Sequence, residues 1–157
     1  MGEHVLAELA GTWTGRGDGE YPTVADFAWT EEFSVVPVPG KPVAHWTSRT
    51  RDAVTGEPRH AESGFLRAAE PGGPDSGLAV QLVVAHPFGV VEVATGTWEH
   101  GVLTLASTGV LAAPGAKQVD AVSRRYEFDG DTLRYTLAMA AVGVPLTHHL
   151  RAELTRA

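Results

Sequence analysis

The sequence predicts an all-β chain: a single ten-stranded antiparallel up-and-down β-barrel with a short N-terminal helical turn. Strand signals recur about every 12 to 15 residues along the 157-residue chain. Turns rich in Gly, Pro and Asp separate them at hairpin spacing, and helical periodicity is almost absent. Ten short strands in one domain's worth of length favour closure, because a closed barrel leaves no exposed edges.

Taken in order, Val5-Leu6-Ala7-Glu8-Leu9 makes the one helical turn, ended by Gly11. The first strand is expected over 11–18 and the second over 25–36, where Phe27, Trp29, Glu31 and Phe33 alternate with their neighbours. Pro37-Val38-Pro39-Gly40 stops it. Strands follow over 43–51 and 59–68, the second of these closed by the turn-rich Pro71-Gly72-Gly73-Pro74-Asp75. A fifth and sixth span 78–85 and 90–98, and Glu99-His100-Gly101 turns into a seventh over 102–108. After the apolar linker 111–116, strands over 118–128 and 133–141 flank the turn Asp129-Gly130-Asp131, and 144–154 closes the set. No repeat, low-complexity tract or second domain interrupts residues 1–157.

Composition narrows the chemistry. With no Cys, disulfides, thiol catalysis, Cys-bound zinc and iron–sulfur clusters are excluded. A net charge of −7, without a basic stripe, argues against nucleic acid and anionic membranes as partners. No run reaches the roughly 18 apolar residues of a membrane helix, and Met1-Gly2-Glu3-His4 is unlike a signal peptide, so a cytoplasmic address is expected.

The last strand carries the adjacent imidazoles His148 and His149. Neutral imidazole is a good ligand for iron. There is no Cys, and no tight cluster of Asp, Glu and His that would build an all-protein metal cage is expected, whereas one imidazole in an apolar barrel suffices for a haem, whose porphyrin supplies the other four nitrogens. The alternative is a pair of surface histidines. Upstream, Gly11, Trp13, Gly15 and Gly17 form a distinctive motif. Trp13 suits the plug of a barrel end, and the glycines permit close backbone approach. No strand precedes this motif and no helix follows it, which rules out a dinucleotide loop.

Gly11-Thr12-Trp13-Thr14-Gly15-Arg16-Gly17 with Tyr21-Pro22-Thr23 resembles the opening of the nitrobindin family. So do Pro58-Arg59-His60-Ala61-Glu62-Ser63-Gly64-Phe65-Leu66-Arg67, Gly89-Val90-Val91-Glu92-Val93 and the closing His149-Leu150. The blocks fall in the family's order over nearly the whole chain. The resemblance implies a calycin barrel of the fatty-acid-binding-protein type. It implies ferric haem b at one open end, nitric oxide binding, and isomerisation of peroxynitrite to nitrate. A monomer or weak homodimer is expected. A non-catalytic nitric oxide or haem carrier or sensor is the alternative, as is a barrel for an apolar, fatty-acid-like ligand.

Carried over residue by residue, the proximal histidine is His149, although strand parity groups His148, not His149, with Leu146, Leu150 and Leu154. Lys117 matches a lysine near the haem, and His60 a cavity histidine. Met139 is placed to touch the haem plane, and Thr23 lies in a loop bordering the ligand. Arg59 departs from the methionine that often stands there in the family. His86 reads as a turn residue, and His4, His45 and His100 as surface or packing residues. Glu62, Glu92 and Arg67 read as a buried or rim polar network with no acid–base couple.

Overall fold

A computed structural model describes residues 2–69 and 77–157. The turn expected at 71–75 and the side chain of His4 lie outside what it describes. Helix α1 (Gly2–Leu9) leads into ten strands: β1 (Gly11–Tyr21), β2 (Val24–Pro37), β3 (Val43–Asp52), β4 (Pro58–Ala68) and β5 (Leu78–His86). They continue as β6 (Val90–Glu99), β7 (Val102–Ala112), β8 (Val119–Asp129), β9 (Thr132–Ala141) and β10 (Val144–Arg156). Each strand pairs antiparallel with its sequence neighbours, and β1 pairs with β10 to close the barrel. β1 and β7 outrun their expected ends the furthest, for the same reason. Gly19 of β1 keeps its partners on both β2 and β10, and Val110, Leu111 and Ala112 of β7 stay paired to β6.

Alternation decides which side chains enter the barrel. In β2, Trp29, Glu31, Phe33 and Val35 are buried while Thr30, Glu32 and Val36 are exposed. The interior at one end is dry: Trp13, Phe33, Trp46, Leu66, Leu82, Leu103, Leu133 and Leu154 are almost completely buried in one cluster. Helix α1 packs Leu6 and Leu9 into that cluster, each worth roughly 1.5–3 kcal/mol of transfer free energy. Trp13 plugs this end as its sequence context suggests. Its indole Nε1 donates to the Leu9 carbonyl at 3.1 Å, and Arg156 lies over its ring while also reaching the Ala10 carbonyl.

Gly11 opens β1 beneath the Arg156 side chain, and two further glycines of the motif have steric reasons to be there. A Cβ at Gly15 would sit 2.2 Å from the Glu153 carbonyl oxygen and 2.8 Å from the Leu154 Cα, both backbone atoms of β10. A Cβ at Gly17 would meet the Trp29 ring at 2.3 Å, so Gly17 lets that indole lie flat against β1. At the opposite end the wall loosens. β7 and β8 pair only from Val102 to Ala106 against Ser123 to Glu127, and the segment 113–118 bridges the gap.

Replacing Gly15 by Ala should therefore force β1 from β10 and destabilise the fold by about 1–3 kcal/mol. The same change at Gly109, where nothing lies within 4 Å, should stay within about 0.5 kcal/mol. Paired urea melts check the contrast; equal midpoints for the two variants would contradict it.

Candidate functional site

The open end leads into a cavity of about 280 Å³. Arg59, Phe88, Lys117 and His149 stand at the rim, Leu137, Met139, Val119, Val122 and Leu150 form an apolar wall, and Glu31, Glu62, Glu92 and Arg124 lie deeper. His149 and Leu150 both face this space, although they are adjacent in a strand. A β-bulge makes this possible. His148 pairs with Ala138 and Leu150 with Leu137, leaving His149 as the extra, unpaired residue of β10. His148 is thereby turned to an outer groove beside Ser123 and Ala138, which resolves the parity conflict.

The His149 ring is held on three sides. Its Nδ1 lies 2.9 Å from the Glu20 carbonyl oxygen, which the register Gly19↔Leu150 brings opposite. A carbonyl only accepts, so Nδ1 carries the proton and the neutral ring keeps a bare Nε2. Tyr21 and Phe27 meet the ring edge-on, with centroids 5.1 and 6.0 Å away. Tyr21 is itself fixed: its hydroxyl donates to the Met139 carbonyl and accepts from the Ala141 amide, both at 3.0 Å. Partial burial lowers the His149 pKa despite the Glu20 bond that opposes it, and Lys117 adds to the lowering. The ring is therefore neutral near pH 7, the form that binds a metal.

A histidine fixed by a carbonyl, presenting bare Nε2 to a large, mainly apolar cavity, fits the proximal side of a haem pocket. The family model of the THAP4-like, heme-binding β-barrel domain matches residues 4–156. The chain belongs to this haem-binding barrel family. Peroxynitrite isomerase 2 of Mycobacterium marinum is 45% identical over 157 residues, covering 96% of this chain and 92% of its own. Peroxynitrite isomerase 1 of Mycobacterium tuberculosis is 43% identical over 158 residues, with the same coverage. The crystal structure of Rv2717c from M. tuberculosis superposes with a TM-score of 0.88 at 41% identity, over 99% of this chain and 97% of that one.

Within this member of the family the residues singled out by sequence fall into distinct places. His149, Met139, His60 and Lys117 all line the cavity. Lys117 is exposed at the rim with its Nζ 6.0 Å from the Tyr21 ring centroid. Arg59 is also at the rim, stacked over Phe27 at 4.8 Å and paired with Asp52 at 2.9 Å. Thr23 sits in the exposed turn between β1 and β2, outside the cavity wall. Gly11, Trp13, Gly15 and Gly17 belong to the frame, with only the Trp29 that Gly17 accommodates reaching the cavity.

Two sequence readings need correction. His86 is no mere turn residue: it ends β5 facing the cavity, with Nδ1 3.2 Å from His60 Nε2 and Nε2 3.2 Å from Glu92 Oε1. Arg67 is exposed on the outer face, because its parity in β4 is opposite to that of Leu66. The network's cation is Arg124 of β8, which donates to both oxygens of Glu62 and both of Glu92 at 2.6–3.1 Å. The signal was present, since Arg124 shares inward parity with Val122 and Tyr126.

These groups settle into different charge states. Burial works against ionising Glu62, but the charge and hydrogen bonds of Arg124 outweigh it and bring its pKa to about 2. Glu31 goes the other way: burial raises its pKa although Tyr135, at 2.5 Å, Ser48 and Trp29 all donate to it. Burial depresses His60 to about 4 against the pull of Glu62, with His86 and Arg124 adding to the depression.

Removing the guanidinium by Arg124→Met strands two buried carboxylates and should cost about 3–5 kcal/mol, read as a lowered urea midpoint at neutral pH. The linkage signs give a second expectation. His60, with its pKa lowered from 6.5 to about 4, contributes stability that is lost as pH falls between those values. Glu62, lowered from 4.5 to about 2, adds a further loss below 4.5. Stability measured from pH 7 to 3 should fall in both windows, and His60→Gln should flatten the first.

Proposed function

We propose that this chain holds ferric haem b through His149 Nε2, binds nitric oxide, and isomerises peroxynitrite to nitrate. The observation that carries this is His149 itself: a bulge-presented, carbonyl-oriented, neutral imidazole aimed into a mainly apolar cavity. The peroxynitrite isomerases at 43–45% identity over nearly the full chain support the same reading.

Haem iron, when bound, supplies the Lewis-acid centre at which peroxynitrite rearranges to nitrate, its isomer, without any co-reactant. The chain's own residues supply ligation, shielding and local charge. Glu20 fixes the tautomer and orientation of His149, and Tyr21 and Phe27 stop its ring from swinging. Leu137, Met139, Val119, Val122 and Leu150 offer an apolar face to a flat macrocycle and exclude water. Lys117 places positive charge at the mouth of a protein whose net charge is −7, the nearby Arg59 being already paired with Asp52. This suits carboxylate groups of a cofactor and draws in an anionic substrate against the overall field.

A fatty-acid carrier fits less well. Arg124 is the buried cation that would receive a carboxylate head group, and Glu62 and Glu92 already occupy its donors. A ligand anion would have to displace them.

Hemin titration of His149→Ala should give no Soret band of a five- or six-coordinate histidine complex, whereas His148→Ala should titrate like the native chain. The reverse pattern would remove His149 from its role. Stopped-flow decay of peroxynitrite should accelerate with haem-loaded protein, and a rate equal to buffer leaves only the nitric oxide carrier. Lys117→Glu should slow that decay by about tenfold at low salt, with the difference shrinking as ionic strength rises.

A further inference from the structure

Beside the haem site, on the wall formed by β4 and β5, the cavity holds a second group of metal-ligating atoms. Contrary to the expectation from sequence that no tight Asp/Glu/His cluster forms, His60, Glu62 and His86 each offer one such atom within 4.8 Å of the others. The alternation of β4 turns His60 and Glu62 to the same side, and the end of β5 brings His86 against both. His86 Nδ1 stands 3.2 Å from His60 Nε2 and 4.0 Å from Glu62 Oε2.

The surroundings orient these atoms. Glu92 is an ionised carboxylate gripped by Arg124, so it can only accept, and His86 Nε2 must donate to it. In its neutral form the His86 ring then directs the lone pair of Nδ1 at His60 and Glu62. A carboxylate behind a histidine is the arrangement that fixes and strengthens imidazole ligands of metal ions. Charge also favours a cation: Glu62 and Glu92 together carry two negative charges and Arg124 neutralises one. Phe88 packs on both imidazoles, with centroids 5.7 and 5.5 Å away, and screens them from the mouth. At metal–nitrogen distances of about 2.0–2.1 Å, tetrahedral ligands lie roughly 3.4 Å apart, close to the spacing of the two ring nitrogens here.

We propose that His60, His86 and Glu62 form a binding site for one divalent transition-metal ion of the Zn²⁺ class, with further coordination positions open to the cavity. Two imidazoles and one carboxylate are the donor set that borderline first-row ions prefer. His149 takes no part in this site, so it stands or falls separately from the haem reading.

The test is titration of the haem-free full-length chain with Zn²⁺ by calorimetry, and with Co²⁺ by visible absorption. One equivalent should bind, with Co²⁺ giving ligand-field bands of a four- or five-coordinate ion. His60→Ala and His86→Ala should each weaken binding at least tenfold, and Glu92→Gln by about 10–100-fold. His149→Ala should bind Zn²⁺ like the native chain. Because a cavity variant can lose its fold, X-ray absorption of the Zn²⁺-loaded native chain gives an independent reading, and two imidazoles per ion are expected. Absence of stoichiometric binding, full binding by the His60→Ala/His86→Ala double variant, loss of binding in a folded His149→Ala, or fewer than two imidazoles per ion would each overturn the proposal.

Discussion

In a strand of strict alternation two adjacent residues cannot both face inward, and the bulge at His149 lifts that restriction by inserting one residue that has no partner on β9. The site depends on this insertion. Without it, the inward parity of Leu150, Ala152 and Leu154 would carry His148 into the cavity and leave His149 on the outer wall. With it, His149 lands by Glu20, whose carbonyl, next after the last β1–β10 pair Gly19↔Leu150, accepts from Nδ1. One inserted residue in β10 thus turns a histidine of the barrel wall into the candidate site. Bulges near functional sites commonly re-aim a side chain in this way.

Behind that surface lies a compact set of charges that a purely hydrophobic barrel would not contain. Arg124 joins Glu62 of β4 and Glu92 of β6 from β8, so one guanidinium spans elements far apart in sequence. Such a network contributes little net stability when complete, since desolvation offsets attraction, yet losing one member is severe. It therefore acts as a constraint on shape. It keeps the middle of the barrel from collapsing onto itself, and it holds the cavity's inner wall polar while the outer half is apolar.

The barrel was readable because its signals are local. Alternation in β2, turn chemistry at Asp129-Gly130 and the absence of helical period each involve a few neighbouring residues. The site was readable only in part. Lys117 and His60 reach the cavity as their match to the family implies, Met139 as its place across the last hairpin from His149 implies, and Trp13 seals the end that its context suggests. The histidine pair could not be assigned by parity because a bulge leaves no mark in the pattern of apolar residues. The partnership of Arg124 with Glu62 and Glu92 depends on shear and closure around the barrel, which bring together strands separated by tens of residues. His86 was hidden by its proline neighbour, which marks a turn without saying which way the preceding side chain points.

The plug at the far end gives the barrel a direction. Trp13, with Leu6 and Leu9 of α1, is buried in the apolar cluster that fills this end, while Phe88, Lys117 and His149 stand at the open end of the cavity that holds the inner polar wall. A blind tube fills from the bottom. On the proposed reading, a small occupant of its depths would have to be in place before a broad, flat cofactor lids the mouth, and could not depart until that lid lifts. The order in which the proposed guests enter, and not only their affinities, would then decide which of them is retained.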